Sequence, residues 1–262
     1  MRAIVLEYHD VVTGSDFNAS GYAGEAANSY KIADIDFASH LQVVLEQGGV
    51  VCNDVRTQAV AERDRCPVLF TFDDGGSGSL VAAQMLEAQG WRGHFFVTTD
   101  RIGTAGFLAA DDIRSLHHRG HVIGSHSHSH PVRMARLTPT QVEQEWTHSI
   151  DALQCIVGSP VQVASVPGGY YGEFVGLAAA AAGIRWLFTS EPQLTVGRVA
   201  SSAVYGRYTI RRLTGRSSVR SLLVHPSFAR ASQWTTWNLK KVAKALAGDA
   251  YLRVRSSLFG DV

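Results

Sequence analysis

Short apolar runs alternate along this chain with longer stretches whose apolar residues recur at helical spacing. A short apolar run bounded by turn residues is typical of a buried strand, whereas recurrence at i, i+3 and i+4 indicates an amphipathic helix. Strands are predicted over residues 3–6, 68–72, 93–98, 121–124, 161–166 and 186–189. Helices are predicted over residues 36–47, 78–89, 110–118, 138–156 and 174–182.

This alternation of strands and helices predicts parallel strands that are joined by right-handed crossovers. Periodicity alone does not separate a closed barrel from an open sheet. Residues 13–30, which are rich in Gly, Ser, Ala and Asn, are predicted to form a long polar loop, and such loops are either mobile or lids over a site. The sequence shows no internal repeat and no interdomain linker, so we predict a single domain over residues 1–262.

Length and composition fit an ordinary globular domain with a substantial core: 262 residues, 45% apolar and 18% charged. The formal net charge of +1 gives no pull toward nucleic acid. No apolar run is long enough to span a bilayer, and the chain turns polar too early for a signal peptide, so we expect a cytoplasmic location. The widely spaced Cys52, Cys66 and Cys155 predict reduced, mostly buried thiols.

The charges are less evenly distributed than the total indicates. The segment from Arg198 to Arg255 contains twelve Lys or Arg residues and one acidic residue, Asp249. Two interpretations stay open: a solvated basic face that balances the acidic first half, or a contact surface for a phosphate-bearing substrate or a membrane surface.

Candidate chemistry lies at the ends of two predicted strands. The run over 68–72 ends on Asp73 and Asp74, and the run over 121–124 leads into His126 and His130. Parallel α/β folds place their sites at the carboxyl ends of the strands. One carboxylate and two imidazoles form a three-ligand set for a divalent metal, and a second carboxylate could act as base toward metal-bound water. The pattern indicates a metal hydrolase, whereas either motif alone would fit a turn or a solvated loop.

The stretches at residues 71–75 and 126–131 resemble the first two motifs of the polysaccharide deacetylase family, the NodB-like carbohydrate esterases of family 4. Residues 107–130, 137–158 and 165–171 are similar to its following segments, and residues 6–11 to the opening strand of one branch. The resemblance implies a distorted (β/α) barrel, typically of seven strands. The best-matched core is residues 65–215, followed by a basic, helical extension over about 216–262.

Carried over by position, the resemblance implies that Asp73 is the catalytic base and that Asp74, His126 and His130 bind the metal. The metal is expected to be Zn²⁺, although the family also accepts other divalent ions. The four-residue spacing of the two histidines predicts that they share one side of a helical turn. His128 would then point elsewhere, toward substrate or toward solvent.

The implied reaction is attack of metal-bound water on an N-acetyl carbonyl, with backbone donors stabilising the oxyanion. Pro167, Gly168 and Gly169 resemble the family's third motif, and glycine lets main-chain N–H groups approach a ligand closely. Gly168 is therefore a candidate catalytic residue, and Pro167, Gly169 and Tyr170 are candidate substrate-binding residues. A plain tight turn is the alternative. His9 follows the first strand and is expected either to reach the same site or to have a structural role.

The sequence departs from the family pattern at two places. The third motif commonly starts with an arginine that holds the catalytic aspartate, but this chain has Ser165 there. Arg207, and after it Arg211, are predicted to replace that arginine from another strand. The family's final Leu-x-His motif has its nearest match at Leu223 and His225, so the general acid that would protonate the leaving amine is not identified.

The leading hypothesis is a metal-dependent deacetylase of an N-acetylated sugar in glycan or surface-polysaccharide biosynthesis, with a small or carrier-linked sugar as substrate. Two alternatives stay open. The protein could hydrolyse non-sugar cyclic amides, which other family members do, or it could be a weakly catalytic relative that binds carbohydrate. The intact metal set disfavours the last of these.

Overall fold

The computed structural model describes residues 1–57, 66–169, 171–239 and 241. Eleven strands lie in these ranges: β1 Ile4–Tyr8, β2 Val11–Val12, β3 Ile32–Ala33, β4 Val68–Phe72, β5 His94–Val97, β6 Val122–Ser125, β7 Val163–Ser165, β8 Trp186–Phe188, β9 Gly197–Val199, β10 Ser202–Tyr205 and β11 Tyr208–Thr209. The α-helices with bounds inside these ranges are α1 Glu25–Asn28, α2 Asp34–Glu46, α3 Ser79–Glu87, α4 Ala110–His118, α5 Pro139–Val157, α6 Glu173–Ala181 and α7 Arg216–Leu223. Residues 228–239 are also helical.

Nine strands form one curled sheet in the order β11-β1-β4-β5-β6-β7-β8-β10-β9. Every pair is parallel except β9–β10. Only Gly206 and Arg207 separate β10 from β11, so the segment 202–209 pairs with β8 at its start and with β1 at its end. This segment joins the two sides of the sheet, and the fold is the predicted α/β barrel class.

The predicted number of seven strands differs from the nine observed. If residues 202–209 are counted as one bent strand, the barrel has seven parallel strands, and β9 is an additional antiparallel strand outside the barrel. No bounds were predicted for a strand after residue 189, although Arg207 or Arg211 was expected to lie on one. The reason is physical: β9, β10 and β11 have two to four residues each, and they contain Gly197, Arg198 and Ser202, so no apolar run marks them.

The elements between residues 66 and 189 agree closely with the predictions because their local signals are strong. The β4 strand and α4 have the predicted bounds. Helix α5 begins after Thr138, whose hydroxyl accepts from the Gln141 N–H, and ends at Gly158 in the left-handed conformation. Its apolar face, including the fully buried Trp146, packs onto the sheet.

The polar segment 13–30 is mostly loop, as predicted, and contains the short α1. A buried lysine fixes it: Lys31 Nζ donates to the carbonyl oxygens of Phe17, Ser20 and Tyr22 at 2.6, 2.5 and 2.6 Å. Three carbonyls around one ammonium group satisfy all of its donors. The loop is therefore tied to the barrel at its centre.

Among the described residues, no helix is both long and apolar enough to cross a membrane. The three cysteines are free: Cys52 is buried, Cys66 is half-buried and Cys155 is exposed, so only one of the three matches the expectation of burial. The last part of the predicted basic extension, from residue 242 onward, lies outside the described residues, and the single-domain assignment stays a prediction.

Candidate metal centre

Two adjacent aspartates leave the end of β4 in different directions. Asp73 continues the strand, and its N–H donates to the Tyr8 carbonyl at 3.0 Å. Asp74 has φ of 72° and Gly75 has φ of 81°, so the chain makes a sharp left-handed turn there. A non-glycine residue in this region is sterically costly and is found mainly where function requires it. The turn lets both carboxylates reach one site.

The two histidines lie in a loop after β6, not on a helical turn, and that expectation was wrong. Residues 126–130 make no helix, and Ser127 and His130 have φ of 64° and 58°. The Ser127 hydroxyl accepts the N–H of His130 at 3.1 Å. Two left-handed residues therefore reverse the chain and bring the imidazoles together, with ring centroids 5.1 Å apart.

Glu145 on α5 holds this loop in place. Its carboxylate accepts the N–H groups of His128 and Ser129 at 2.9 and 2.8 Å and the Ser129 hydroxyl at 2.6 Å. The serines between the histidines are thus loop-fixing residues. Glu145 was not identified from the sequence, because nothing in its local pattern indicates a partner sixteen residues earlier.

Asp74, His126 and His130 form a compact set of possible metal ligands. Their ligand atoms lie within 4.8 Å of one another. Asp74 Oδ1 is 3.4 Å from the Nε2 atoms of both histidines, and it is buried without a hydrogen-bond donor among the described residues. An orphaned carboxylate oxygen that faces two imidazole nitrogens is satisfied by a cation. The residues present fit a divalent metal.

The tautomer of His126 supports this assignment. Its Nδ1 lies 3.2 Å from the Ser165 carbonyl oxygen and 2.6 Å from Ser165 Oγ. A carbonyl oxygen can only accept, so Nδ1 carries the proton and Nε2 presents a lone pair toward Asp74. This is the arrangement in which the outer nitrogen of a metal-binding histidine is fixed by a second group.

Ser165, which replaces the expected arginine, also contacts the other aspartate. Its hydroxyl donates to Asp73 Oδ1 at 3.2 Å while it accepts from His126. One small side chain therefore links the candidate base to a candidate metal ligand. The Asp73 Oδ2 atom lies 3.8 Å from His126 Nε2.

Arg207 makes the contact with Asp73 that the sequence analysis predicted for it. Its two terminal nitrogens donate to Asp73 Oδ1 and Oδ2 at 2.7 and 2.8 Å. It also pairs with Glu7 at 2.7 Å. All three side chains are almost fully buried. A bidentate guanidinium fixes both the position and the rotation of a carboxylate.

Glu7 is a residue that the sequence analysis missed. It lies on β1, and its carboxylate also accepts the hydroxyls of Ser190, at 2.6 Å, and Thr209. Its partners come from β8, β10–β11 and their loops, about two hundred residues away in sequence. A Glu in an apolar strand was the available signal, because such a residue is rarely buried unless it is paired.

Electrostatics favour a charged site. Burial raises the pKa of the Asp73 carboxyl, but the charges of Arg207 and His126 outweigh burial and hold that pKa below its usual value. Burial lowers the pKa of His126, yet Asp73 and Asp74 raise it overall. Burial lowers the pKa of His130. The negative potential that favours a proton on His126 equally favours a divalent cation.

The third motif forms a tight turn beside the histidine loop. Gly168 and Gly169 have φ of 67° and 64°, and a Cβ at Gly168 would lie 2.6 Å from the Val132 carbonyl oxygen. Residue 168 must therefore be glycine for this turn to lie so close to the Val132 carbonyl. This requirement fits a turn that faces a ligand and equally fits a purely structural turn. Pro167 is buried beneath the turn, and Tyr170 lies outside the described residues.

His9 and His128 lie on different sides of the site. The charge of His9 acts on both Asp73 and Asp74, and its ring stacks near Tyr30 with centroids 4.8 Å apart. The ring of His128 instead contacts Thr99 Oγ1 through Nδ1 at 2.9 Å. His9 borders the site, whereas His128 points away from the metal ligands.

Two further candidates lie elsewhere. Arg211 stacks on Tyr30 with its Cζ 4.4 Å from the ring centroid, so it is not the arginine that holds Asp73. His225 lines a cavity of about 480 Å³ together with Arg2, which precedes β1. That cavity is lined by neither Asp73 nor any of the possible metal ligands, so the Leu223–His225 match does not supply a general acid at the site.

Comparisons with known proteins agree with this fold. The polysaccharide deacetylase family model matches residues 61–187. A polysaccharide deacetylase structure from Bacillus cereus is similar, with 18% identity and a TM-score of 0.72 over 86% of this chain and 69% of that chain. The deacetylase PplD of Streptococcus pyogenes, in complex with acetate, has 17% identity and a TM-score of 0.69 over 86% of this chain and 99% of that one.

IcaB from Ammonifex degensii is also similar, with 19% identity and a TM-score of 0.67 over 85% of this chain and 97% of that chain. At these identities the structural likeness establishes the fold, and the family match adds the sequence evidence. No curated protein matches the chain. The family resemblance indicated by the motifs is confirmed.

Proposed function

Because residues 61–187 of this chain belong to the polysaccharide deacetylase family, we propose that the protein is a metal-dependent de-N-acetylase of an N-acetylated sugar or glycan. One observation carries the proposal. No group of the described residues donates a hydrogen bond to Asp74 Oδ1, which faces His126 and His130, and a second carboxylate, Asp73, lies beside this set and is held in ionised form by Arg207.

Each residue then has a distinct role. Asp74, His126 and His130 would hold a divalent ion, with Zn²⁺ the best match to two nitrogens and one oxygen. When bound, such an ion supplies Lewis-acid chemistry at the acetyl carbonyl and lowers the pKa of water. Asp73 takes a proton from the attacking water at Oδ2, the oxygen that faces His126, since both oxygens accept from Arg207 but Oδ1 also accepts from Ser165.

The remaining groups orient the reaction. Arg207 keeps Asp73 ionised and prevents its carboxylate from rotating, which preserves the angle of proton transfer. Ser165 fixes the His126 tautomer. The water oxygen bonds the acetyl carbon, the amide C–N bond breaks, and the leaving nitrogen takes up the proton that Asp73 removed from the water, so the products are acetate and a free amine. His9, which borders the carboxylates, is proposed to contact the substrate on this side.

The test is a metal and turnover assay of purified protein. After chelation and reloading with Zn²⁺, Mn²⁺, Co²⁺ or Ni²⁺, acetate release is measured from N-acetylated oligosaccharides and nucleotide-linked N-acetyl sugars, and ring opening is measured for cyclic ureides. We expect release from the sugars only and its loss on chelation. Hydrolysis of ureides alone would identify the cyclic-amide alternative, and full activity after metal removal would refute the proposal.

Ligand variants provide the matched test of the metal set. Asp74→Ala and His126→Ala should lose bound metal, as measured by elemental analysis, whereas His128→Ala should retain it because its ring faces Thr99. Stoichiometric metal in both ligand variants would contradict the assignment.

A further inference from the structure

The helix at residues 228–239 lies across the carboxyl end of the sheet, outside the segment that matches the family model. Gln233 and Lys241 attach this helix to the carboxyl end of the sheet. Gln233 exchanges hydrogen bonds with the backbone N–H and carbonyl of Thr209, each at 3.1 Å. Lys241 Nζ pairs with Glu191 at 3.3 Å. Thr209 ends β11 and Glu191 follows β8, so both anchors are at the end of the barrel that carries the site.

Trp237 lies midway between these anchors. Gln233, Trp237 and Lys241 are spaced by four residues, and side chains at this spacing share one face of a helix. A Cβ at Gly169 would be 3.2 Å from Trp237 Cη2 and 3.6 Å from its Cζ3. The indole therefore covers the glycine turn of the third motif.

The surroundings of Trp237 connect it to the catalytic groups. The Cβ atom of Ser190 lies 3.7 Å from the position that a Cβ at Gly169 would occupy. The Ser190 hydroxyl donates to the Glu7 carboxylate. Thr209 also donates to Glu7, which pairs with Arg207. The Trp237 side chain is half-buried, so part of its surface is accessible beside the third motif.

From this placement we propose that Trp237 is a substrate-binding residue that packs on the apolar C–H face of a sugar ring next to the one being deacetylated. The inference rests on the proposed function. It makes that function more specific, because an acetamido group bound at the metal ligands does not by itself contact the helix that carries Trp237. The substrate class that uses both is an N-acetylated oligosaccharide of at least two sugar rings. A large, rigid aromatic side chain provides such a contact at low entropic cost.

The experiment compares two substrates in metal-loaded protein: the N-acetylglucosamine tetramer and 4-nitrophenyl acetate, which is too small to reach Trp237. For Trp237→Ala, KM for the tetramer should rise about five- to tenfold, the scale of one aromatic contact. Turnover of the ester should change less than about twofold, since the reacting groups are untouched. Trp237→Phe, which keeps a ring over Gly169, should restore part of the affinity.

Trp234→Ala is the matched control. This tryptophan is on the same helix but lines the separate cavity that also contains His225 and Arg2, so its loss should leave both substrates unaffected. An equal rise in KM for both substrates in Trp237→Ala, or no rise at all, would overturn the proposal. If Trp237→Ala does not fold, the same comparison is made with Trp237→Phe and Trp237→Leu.

Binding without turnover separates this inference from the proposed function. The tetramer should quench the tryptophan fluorescence of Asp73→Asn protein, and Trp237→Phe in that background should remove most of the quenching. Quenching without any acetate release from wild-type protein would refute the proposed function but support the subsite. Quenching that persists in Trp237→Phe, or no quenching in either protein, would overturn the subsite.

Discussion

The two ends of the barrel each bury a histidine, and the two rings respond to burial in opposite ways. At the carboxyl end, His126 has two carboxylates beside it, and they raise its pKa despite burial. At the amino end, His94 accepts the Val55 N–H through Nε2 and lies near the Phe70 carbonyl, and burial lowers its pKa to about 4. Neighbouring charge, not depth, distinguishes a site histidine from a structural one.

The same contrast applies to the other charged groups. The carboxyl end buries Glu7, Asp73 and Arg207 in one connected network. Exposed pairs such as Arg220–Glu46 occur on the outside of the barrel. Buried charges are costly to desolvate, and replacing such a pair by apolar residues often stabilises a protein. Their retention at this end is therefore better explained by function than by stability, and each prediction below tests that difference.

The largest expected effect is on catalysis. Asp73→Asn keeps the shape and can accept one of the two hydrogen bonds that Arg207 donates, but it cannot take a proton. Turnover should fall by roughly 10²–10⁴ with metal content unchanged, the scale of a lost general base. Steady-state kinetics and elemental analysis are the measurements, with Asp111→Asn, an exposed aspartate, as control. Near-normal turnover in Asp73→Asn would show that another group acts as base.

The next effect is on stability. Arg207→Leu would leave Glu7 and Asp73 buried without a counter-charge, so we expect a loss of about 3–5 kcal/mol in the free energy of unfolding. Arg220→Leu removes an exposed partner of Glu46 and should cost no more than about 1 kcal/mol. Denaturant unfolding of both variants gives the comparison. Equal losses in the free energy of unfolding would show that the buried ion pairs of Arg207 matter no more for stability than the exposed pair of Arg220.

The sequence predicted the ligands because each follows a strand whose apolar run is unmistakable, as at Val68–Phe72 and Val122–Ser125. It also indicated Arg207, but only through the gap left by Ser165 in the family motif. It did not indicate that Ser165 itself bridges Asp73 and His126, since that contact spans 92 and 39 residues. Local patterns determine strands and helices; partners across the barrel depend on how the sheet closes.

The short strands after residue 189 show the same limit. Their positions are determined by pairing with β8 and β1, not by their own composition. The helical-turn expectation for the histidines failed for a related reason. Four-residue spacing is compatible with a helix, but Ser127 and His130 adopt left-handed conformations that the loop's bonds to Glu145 stabilise.

The Ser165 bridge has a measurable consequence. Ser165→Ala removes the hydroxyl but leaves the backbone carbonyl that accepts from His126, so metal affinity should fall about 10- to 100-fold. Competition with a chromophoric chelator measures it. Ser202→Ala is the matched control, because that buried hydroxyl donates to the Ile184 carbonyl, away from the site. Unchanged affinity in Ser165→Ala would assign the role to the carbonyl alone.

A smaller effect tests the amino-end histidine. With a folded pKa of about 4 and an ordinary unfolded pKa of about 6.5, His94 contributes stability that is complete above about pH 6.5 and is lost as the pH falls toward 4. The free energy of unfolding of wild-type protein should drop between pH 7 and pH 5, and His94→Gln should reduce that drop by about 1–2 kcal/mol. An identical drop in both proteins would contradict the neutral, buried state of His94.

The smallest effect concerns the basic segment, where the structure divides four arginines into two pairs. Arg216 and Arg220 both pair with Glu46. Arg211 and Arg212 have aromatic partners, Tyr30 and Phe17, and therefore keep their charge available to an anion.

If a phosphate-bearing sugar is the substrate, Arg211→Glu combined with Arg212→Glu should raise its KM several-fold, whereas the KM of a neutral N-acetyl sugar should stay the same. Arg216→Glu combined with Arg220→Glu changes the net charge equally and should affect neither substrate, because both of these arginines are already engaged by Glu46. The two double variants therefore separate local recognition from the general field of the protein. A similar rise in KM for both double variants would indicate that only the overall charge matters, and a rise for the neutral sugar as well would make Arg211 and Arg212 structural.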